Sequence, residues 1–181
     1  MNKGLRKKLI PIGILLLMLL CLSACAKARS SRELKKYARA THGRARELNK
    51  MNSDDCSYTV LYDKTQGFTY TVTSTLRDGT FGKKEYTYDD FDERLMEYVY
   101  NSMQTEFESF SKQYNAEFYT DDCTLVIQNP DDAKEAGEKL AKILNRQNVE
   151  NRLDGKVINI SDSGGRLLGT VTLPGCEFEP D

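Results

Sequence analysis

An alternation of apolar and polar residues predicts two β-hairpins. In residues 67–74, Phe68, Tyr70 and Val72 alternate with threonines, which is the period-two pattern of a strand with one buried face. We expect the threonine side to face water and the aromatic side to be covered by helices. The predicted strands are 57–63 paired with 67–74, 116–119, 123–128, and 156–161 paired with 166–173.

A helical spacing of apolar residues predicts three helices. The first follows Ser30 or Ser31, has Leu34 and Ala38 on its apolar face, and ends before Gly43. A third helix starts at Pro130 and runs to about residue 147. The longest predicted helix, about 91–114, carries an apolar stripe at Phe91, Leu95, Val99, Met103, Phe107, Phe110 and Tyr114.

Two segments have no decisive pattern. Residues 44–50 fit either a further helical turn or an edge strand, and residues 77–89 suggest a loop with at most a short strand at 84–88. Mixed runs of strands and helices, with hairpins among them, indicate the α+β class. We therefore expect a single domain over 32–181, with a five- to six-stranded, mainly antiparallel sheet and two to three helices packed on one face.

The first 25 residues have the layout of an export signal. Four basic residues precede an apolar run over 9–22, which is shorter than the ~20 residues that span a bilayer. Leu22-Ser23-Ala24-Cys25 follows and resembles the lipobox of bacterial lipoproteins in all four positions. The resemblance implies cleavage between Ala24 and Cys25 and fatty acylation of Cys25. Residues 1–24 would be the signal peptide and 25–31 a tether to the membrane on its extracytoplasmic side.

Charge is distributed unevenly along the rest of the chain. Removing residues 1–24 takes away four of the 26 basic residues and none of the 27 acidic ones, which leaves a net charge of −5. Residues 25–50 carry +7 and residues 51–181 carry −12. An acidic body argues against nucleic-acid binding, which depends on neutralising phosphates. The basic residues that follow the lipobox are Lys27, Arg29, Arg32, Lys35, Lys36 and Arg39.

These six basic residues have two open interpretations. They could face the anionic head groups of the membrane to which Cys25 is attached. They could equally form a solvated helix surface or pair with the acidic body.

Three cysteines remain in the exported part of the chain, so at most one internal disulfide forms. Ser53-Asp54-Asp55-Cys56 resembles Thr120-Asp121-Asp122-Cys123, and each precedes an apolar strand. If the two strands lay side by side, Cys56 and Cys123 would be the candidate disulfide; otherwise the thiols are free.

The sequence contains no arrangement that specifies catalysis. His42 is the only histidine, and it has no nucleophile motif near it. The Asp pairs lack the spacing of a calcium loop, and no Cys/His spacing fits zinc. We therefore expect no catalytic residue, no metal site and no cofactor. Tyr86, Tyr88 and Tyr100 lie off the helical stripe and are candidates for protein recognition.

These observations favour a non-enzymatic, lipid-anchored protein that binds another protein at the cell surface. A small-ligand or ion-binding lipoprotein associated with a transporter is the second interpretation, and an enzyme is the third. An exposed aromatic surface would support the first, whereas a pocket of converging polar groups would support the others.

Overall fold

The computed structural model describes residues 26–80 and 82–181. Cys25 and the signal peptide lie outside the described residues. The fold belongs to the α+β class, as the sequence predicts, and most of its strand pairs are antiparallel.

Sheet A contains the first four strands in chain order, and every neighbouring pair is antiparallel. Its strands are β1 (Ala45–Met51), β2 (Cys56–Asp63), β3 (Thr69–Gly79) and β4 (Gly82–Asp89). The open segment 44–50 is therefore an edge strand. The expectation of a loop over 77–89 is wrong, because β3 and β4 continue as a regular ladder almost to the turn. The sequence of β4 does not alternate between apolar and polar residues, because both faces of this strand meet water.

Sheet B contains five strands in the order β5-β6-β7-β8-β9, and only β6 and β7 run parallel. Its strands are β5 (Ala116–Tyr119), β6 (Thr124–Ile127), β7 (Val157–Asp162), β8 (Leu167–Thr172) and β9 (Phe178–Pro180). The short strand β9 has no sequence signal of its own. It pairs with β8, where Gly169 leaves room for the ring of Phe178.

Four α-helices pack against the sheets. They are α1 (Ser31–His42), α2 (Phe91–Ser102), α3 (Gln104–Tyr114) and α4 (Ala133–Asn145). Helix α1 packs on β1, β2 and β3, and α2 packs on β3. Helix α4 packs on β7 and β8. One hydrophobic core joins both sheets and all four helices.

The single sheet expected from the sequence is thus divided into two. The break falls between β4 and β5, where the chain forms α2 and α3 before it returns to extended structure. Alternation along a strand specifies which side chains are buried, but it does not specify the partner across a long helical connection.

The long helix expected over 91–114 is interrupted at Met103, which has φ −125° and ψ 26°. Its predicted apolar stripe is nevertheless buried throughout. Four consecutive spacings of four residues, from Phe91 to Phe107, turn the stripe by about 40° at each step around a straight helix. The interruption at Met103 lets both halves, α2 and α3, face the same core.

None of the helices among residues 26–80 and 82–181 is both long enough and apolar enough to cross a membrane.

Candidate functional site

Sheet A has one covered and one open face. The side chains that point toward α1 and α2, including Leu61, Tyr70 and Val72, are buried, as predicted for the aromatic side of 67–74. The opposite side chains are half-buried or exposed, and α2 reaches only the border of that face near Thr69. We call this opposite side the tyrosine face; it consists of Met51, Tyr58, Val60, Tyr62, Tyr86, Tyr88 and the β3 residues Thr69, Thr71, Thr73 and Thr75.

The strand register places these residues in rows. Met51 lies opposite Tyr58, Tyr58 opposite Thr73, and Thr73 opposite Tyr88. Four neighbouring strands are spaced about 4.8 Å apart, so the row extends across roughly 14 Å. Tyr88 is 50% exposed and Tyr86 is 41% exposed. The face is therefore an open surface with aromatic groups available for contact.

The charges of the tyrosine face are segregated. Arg77 and Lys84 lie 5.3 and 5.7 Å from the ring centre of Tyr86, at the end nearest the β3–β4 turn. At the opposite end, a groove of about 460 Å³ beside Tyr88 is lined by Asp90, Glu93 and other acidic residues. One end of β4 is thus basic and the other end acidic.

The six basic residues near the N-terminus separate into two groups of three. Lys27, Arg29 and Lys35 lie within ion-pair distance of Asp54, Glu85 and Glu47, at 3.2, 3.3 and 3.5 Å. The other three, Arg32, Lys36 and Arg39, are exposed, and no ion pair to them is found among the described residues.

These three residues, which we call the basic triad, recur at helical spacing. They lie on the side of α1 away from the buried Leu34 and Ala38. The structure therefore supports pairing with acidic residues for one group of three and leaves the other group exposed.

The start of the described chain is fixed to sheet A. The backbone N–H of Ala28 donates to the carbonyl of Asp54 at 3.0 Å, and the N–H of Arg29 donates to Ser74 Oγ at 3.0 Å. Ser30 and Glu33 then form a capping box at the start of α1. Residues 28–31 of the segment predicted as a tether are consequently part of the folded domain.

A buried charge cluster lies between α1, sheet A and the loop before β7. His42 Nε2 lies 3.1 Å from Asp89 Oδ1, and the Tyr37 hydroxyl donates to Asp89 Oδ2 at 3.0 Å. Burial by itself raises the pKa of Asp89, but His42, the N–H of Phe91 and the Tyr37 hydroxyl together outweigh burial and lower that pKa. The imidazole also stacks on Phe91, with 3.9 Å between ring centres.

Arg152 completes the cluster from the loop before β7. Its Nη1 lies 2.8 Å from Asp63 Oδ2, and its Nη2 donates to the carbonyl oxygen of His42 at 3.0 Å. Burial, with the charges of Asp63 and Asp89, raises the pKa of Tyr70 above its usual range. Asp63 and Arg152 carry no sequence signal, because they lie in segments far apart along the chain, and Asp89 is visible only as half of an Asp pair that lacks the spacing of a calcium loop. The single histidine, which has no nucleophile motif near it in the sequence, therefore belongs to a network with Asp89 and Arg152.

A cleft of about 520 Å³ lies next to this cluster and is lined by His42, Arg152 and Lys156 among others. Each of these three groups faces a carboxylate of the protein itself, namely Asp89, Asp63 and Asp92. The three charged groups are therefore matched by partners within the protein and do not require a ligand.

The candidate disulfide is not formed in the structure. Cys56, Cys123 and Cys176 are free and half-buried. The strands that follow the two similar segments, β2 and β6, belong to different sheets. Burial raises the pKa of the Cys123 thiol, which makes it less reactive.

Tyr100, the third tyrosine considered for protein recognition, does not belong to the tyrosine face, because its ring packs against Phe107.

Among the described residues, no group of three or more His, Cys, Asp or Glu side chains is arranged to hold a metal ion. Comparison of the chain with protein-family models, curated proteins and solved structures gives no match.

Proposed function

We propose that this protein is a lipid-anchored, extracytoplasmic, non-enzymatic module that binds a protein partner through the tyrosine face. The observation that carries the proposal is the open face of sheet A, with its rows of tyrosine and threonine side chains. Tyrosine is enriched in protein interfaces because it brings a large contact area at a low cost in conformational entropy.

The order of layers supports an outward orientation of this face. The basic triad lies on the far side of α1, and α1 lies on the covered side of sheet A. If the basic triad contacts anionic head groups, the tyrosine face points away from the bilayer. Acylation of Cys25 would hold the domain in place, because residues 28 and 29 are already fixed to sheet A.

The buried charges favour binding over catalysis. His42 and Arg152 line the cleft of about 520 Å³, but each is paired with a carboxylate of the protein itself, Asp89 and Asp63, so the charge of each is already matched without a ligand. The tyrosine face, in contrast, offers polar hydroxyls and aromatic rings that are accessible.

A photo-crosslinking amino acid at position 73, in the middle of the tyrosine face, tests the proposal in native membranes. The matched control position is Lys134, which is exposed on α4, a helix that packs on sheet B. We expect a product with a different protein at position 73 only, and we expect Tyr58→Ser with Tyr88→Ser to abolish it. Equal products at both positions, or none at position 73, would refute a specific partner on this face.

A further inference from the structure

Strand β4 is an edge of sheet A whose outer backbone groups can be assigned. The carbonyl of Thr71 accepts from the N–H of Asp90, and the N–H of Leu76 donates to Asp55. Alternate residues of an antiparallel strand bond to opposite neighbours, so odd-numbered residues of β3 bond toward β4. Thr73 and Thr75 are opposite Tyr88 and Tyr86. The backbone groups of those two tyrosines therefore face β3.

It follows that the N–H and C=O groups of Glu85 and Thr87 point away from the sheet. Among the hydrogen bonds of the described residues, none is donated by either of these two N–H groups. Strand β4 covers Gly82–Asp89, contains no proline and pairs with β3 without a bulge. Proline and β-bulges are two of the features that prevent further pairing of edge strands, and β4 has neither. Its two lysines, which can also prevent pairing, lie only at its first end, so the rest of the strand is open to a partner strand.

The charge along β4 selects the direction of that partner. Lys83 and Lys84 lie at its first end, and the groove formed by Tyr88, Asp90, Glu93 and neighbouring acids lies at its last end. An antiparallel copy of the same strand brings Lys84 of each chain to the acidic groove of the other. Lys83 lies on the opposite side of β4 and forms an ion pair of 2.8 Å with Asp55 of its own chain. Each symmetric contact is then made twice.

We infer that β4 pairs antiparallel with β4 of a second copy of this chain, so that two four-stranded sheets become one continuous sheet. In the register that we assign, Tyr86 lies opposite Tyr86, Lys84 opposite Tyr88, and Glu85 opposite Thr87. A shift by two residues in either direction sets Glu85 opposite Glu85 or Asp89, and like charges directly opposite each other are unfavourable.

This pairing does not depend on the partner of the tyrosine face. It would join two tyrosine faces side by side on one sheet and keep both basic triads on the other side. Failure of one proposal therefore leaves the other to be decided by its own experiment.

Cysteine crosslinking of the full chain in membranes tests the register. Opposed residues whose backbone groups face away from each other have Cα atoms about 4.5 Å apart, which is within the range of a disulfide. We expect Tyr86→Cys to give a disulfide-linked dimer under mild oxidation. The control Tyr58→Cys lies two strands inside the edge, roughly 28 Å from its counterpart, and should give none. No dimer for Tyr86→Cys, or equal dimer for both variants, would overturn the register.

A charge exchange tests the pairing without a new bond. Lys84→Glu and Glu93→Lys each place like charges at both symmetric contacts, so each purified variant should be at least tenfold more dissociated than the wild type. A mixture of the two variants restores opposite charges at both contacts, and we expect it to dimerise again by sedimentation velocity in detergent. A mixture that stays monomeric, or single variants that dimerise like the wild type, would overturn the inference.

Discussion

Arg152 Nη1 lies 2.8 Å from Asp63 Oδ2, and this ion pair connects the loop before β7 with the last residue of β2. The Asp63 side chain is 1% exposed and that of Arg152 is 10% exposed. The pair therefore holds the two sheets together at a point where neither charge has enough water to be stable alone.

Removal of one partner should be costly. Arg152→Met leaves Asp63 buried without a counter-charge, and we expect a loss of about 3–5 kcal/mol in the free energy of unfolding. Urea denaturation followed by circular dichroism measures it. In the wild type, Asp63 Oδ1 accepts hydrogen bonds from the N–H groups of Thr65 and Gln66. Asp63→Asn keeps an oxygen that can accept both of these hydrogen bonds. The double variant should lose less than the sum of the single losses; strict additivity would contradict a coupled pair.

Stability should fall in acid partly through Asp89. Its pKa is lowered in the folded state, so its carboxylate stabilises the fold above the unfolded-state pKa of about 3.9. That contribution is lost as the pH decreases through the lower folded-state pKa. Between pH 5 and pH 3 the wild type should therefore lose more unfolding free energy than Asp89→Asn. Parallel curves of unfolding free energy against pH for the two proteins would exclude Asp89 as the cause. Tyr37→Phe removes one hydrogen bond to Asp89, so it should change the pH dependence less than Asp89→Asn does.

Gly137 should be intolerant of alanine although it lies inside α4. Alanine favours helix by about 1 kcal/mol over glycine. A Cβ at this position, however, would overlap the end of the Ile160 side chain on β7. We expect Gly137→Ala to lower the melting temperature, because overpacking costs about 1–3 kcal/mol. Ile160→Val removes the overlapping methyl group, so it should recover most of the loss; no recovery would place the clash elsewhere.

The basic triad should bind anionic membranes. Replacing Arg32, Lys36 and Arg39 with glutamine should weaken sedimentation of residues 26–181 with anionic vesicles roughly tenfold. The matched variant replaces Lys27, Arg29 and Lys35, which face acidic residues of the body, and should change binding less. Equal losses of vesicle binding in the two triple variants would show that only net charge matters. Equal binding to neutral and anionic vesicles would contradict a contact with anionic head groups.

Lipid anchoring should depend on one thiol. Cys25→Ala removes the acylation site that the lipobox resemblance implies, so the protein should leave the membrane fraction or retain residues 1–24. Mass spectrometry and fractionation detect both outcomes. Unchanged processing and unchanged membrane association would show that the lipobox is not used.

The sequence predicts local structure well where one face of an element is buried. The alternation at Phe68, Tyr70 and Val72 and the stripe from Phe91 to Tyr114 both identify core residues correctly. The sequence does not predict a strand whose two faces both meet water, such as β4. It also does not predict features that depend on contacts between distant segments. The division into two sheets and the meeting of Asp63 with Arg152 are of this second kind.

The tyrosine face could be anticipated only in part. Tyr86 and Tyr88 are visible as residues outside any helical stripe, but Tyr58 and Tyr62 join them only through the register of β2 with β3 and of β3 with β4. A one-residue slip would have placed the same side chains in the core.

The backbone hydrogen bond from Ala28 to Asp54 also limits how far the domain could extend from a membrane to which Cys25 is attached. Only two residues separate Cys25 from Ala28. If Cys25 is acylated, almost no flexible linker remains between the bilayer and the domain. A domain of about 155 residues is roughly 40 Å across. With Cys25 acylated, the height above the membrane at which a partner could be met would be limited to one domain diameter, and a partner would have to reside in the membrane or come close to it.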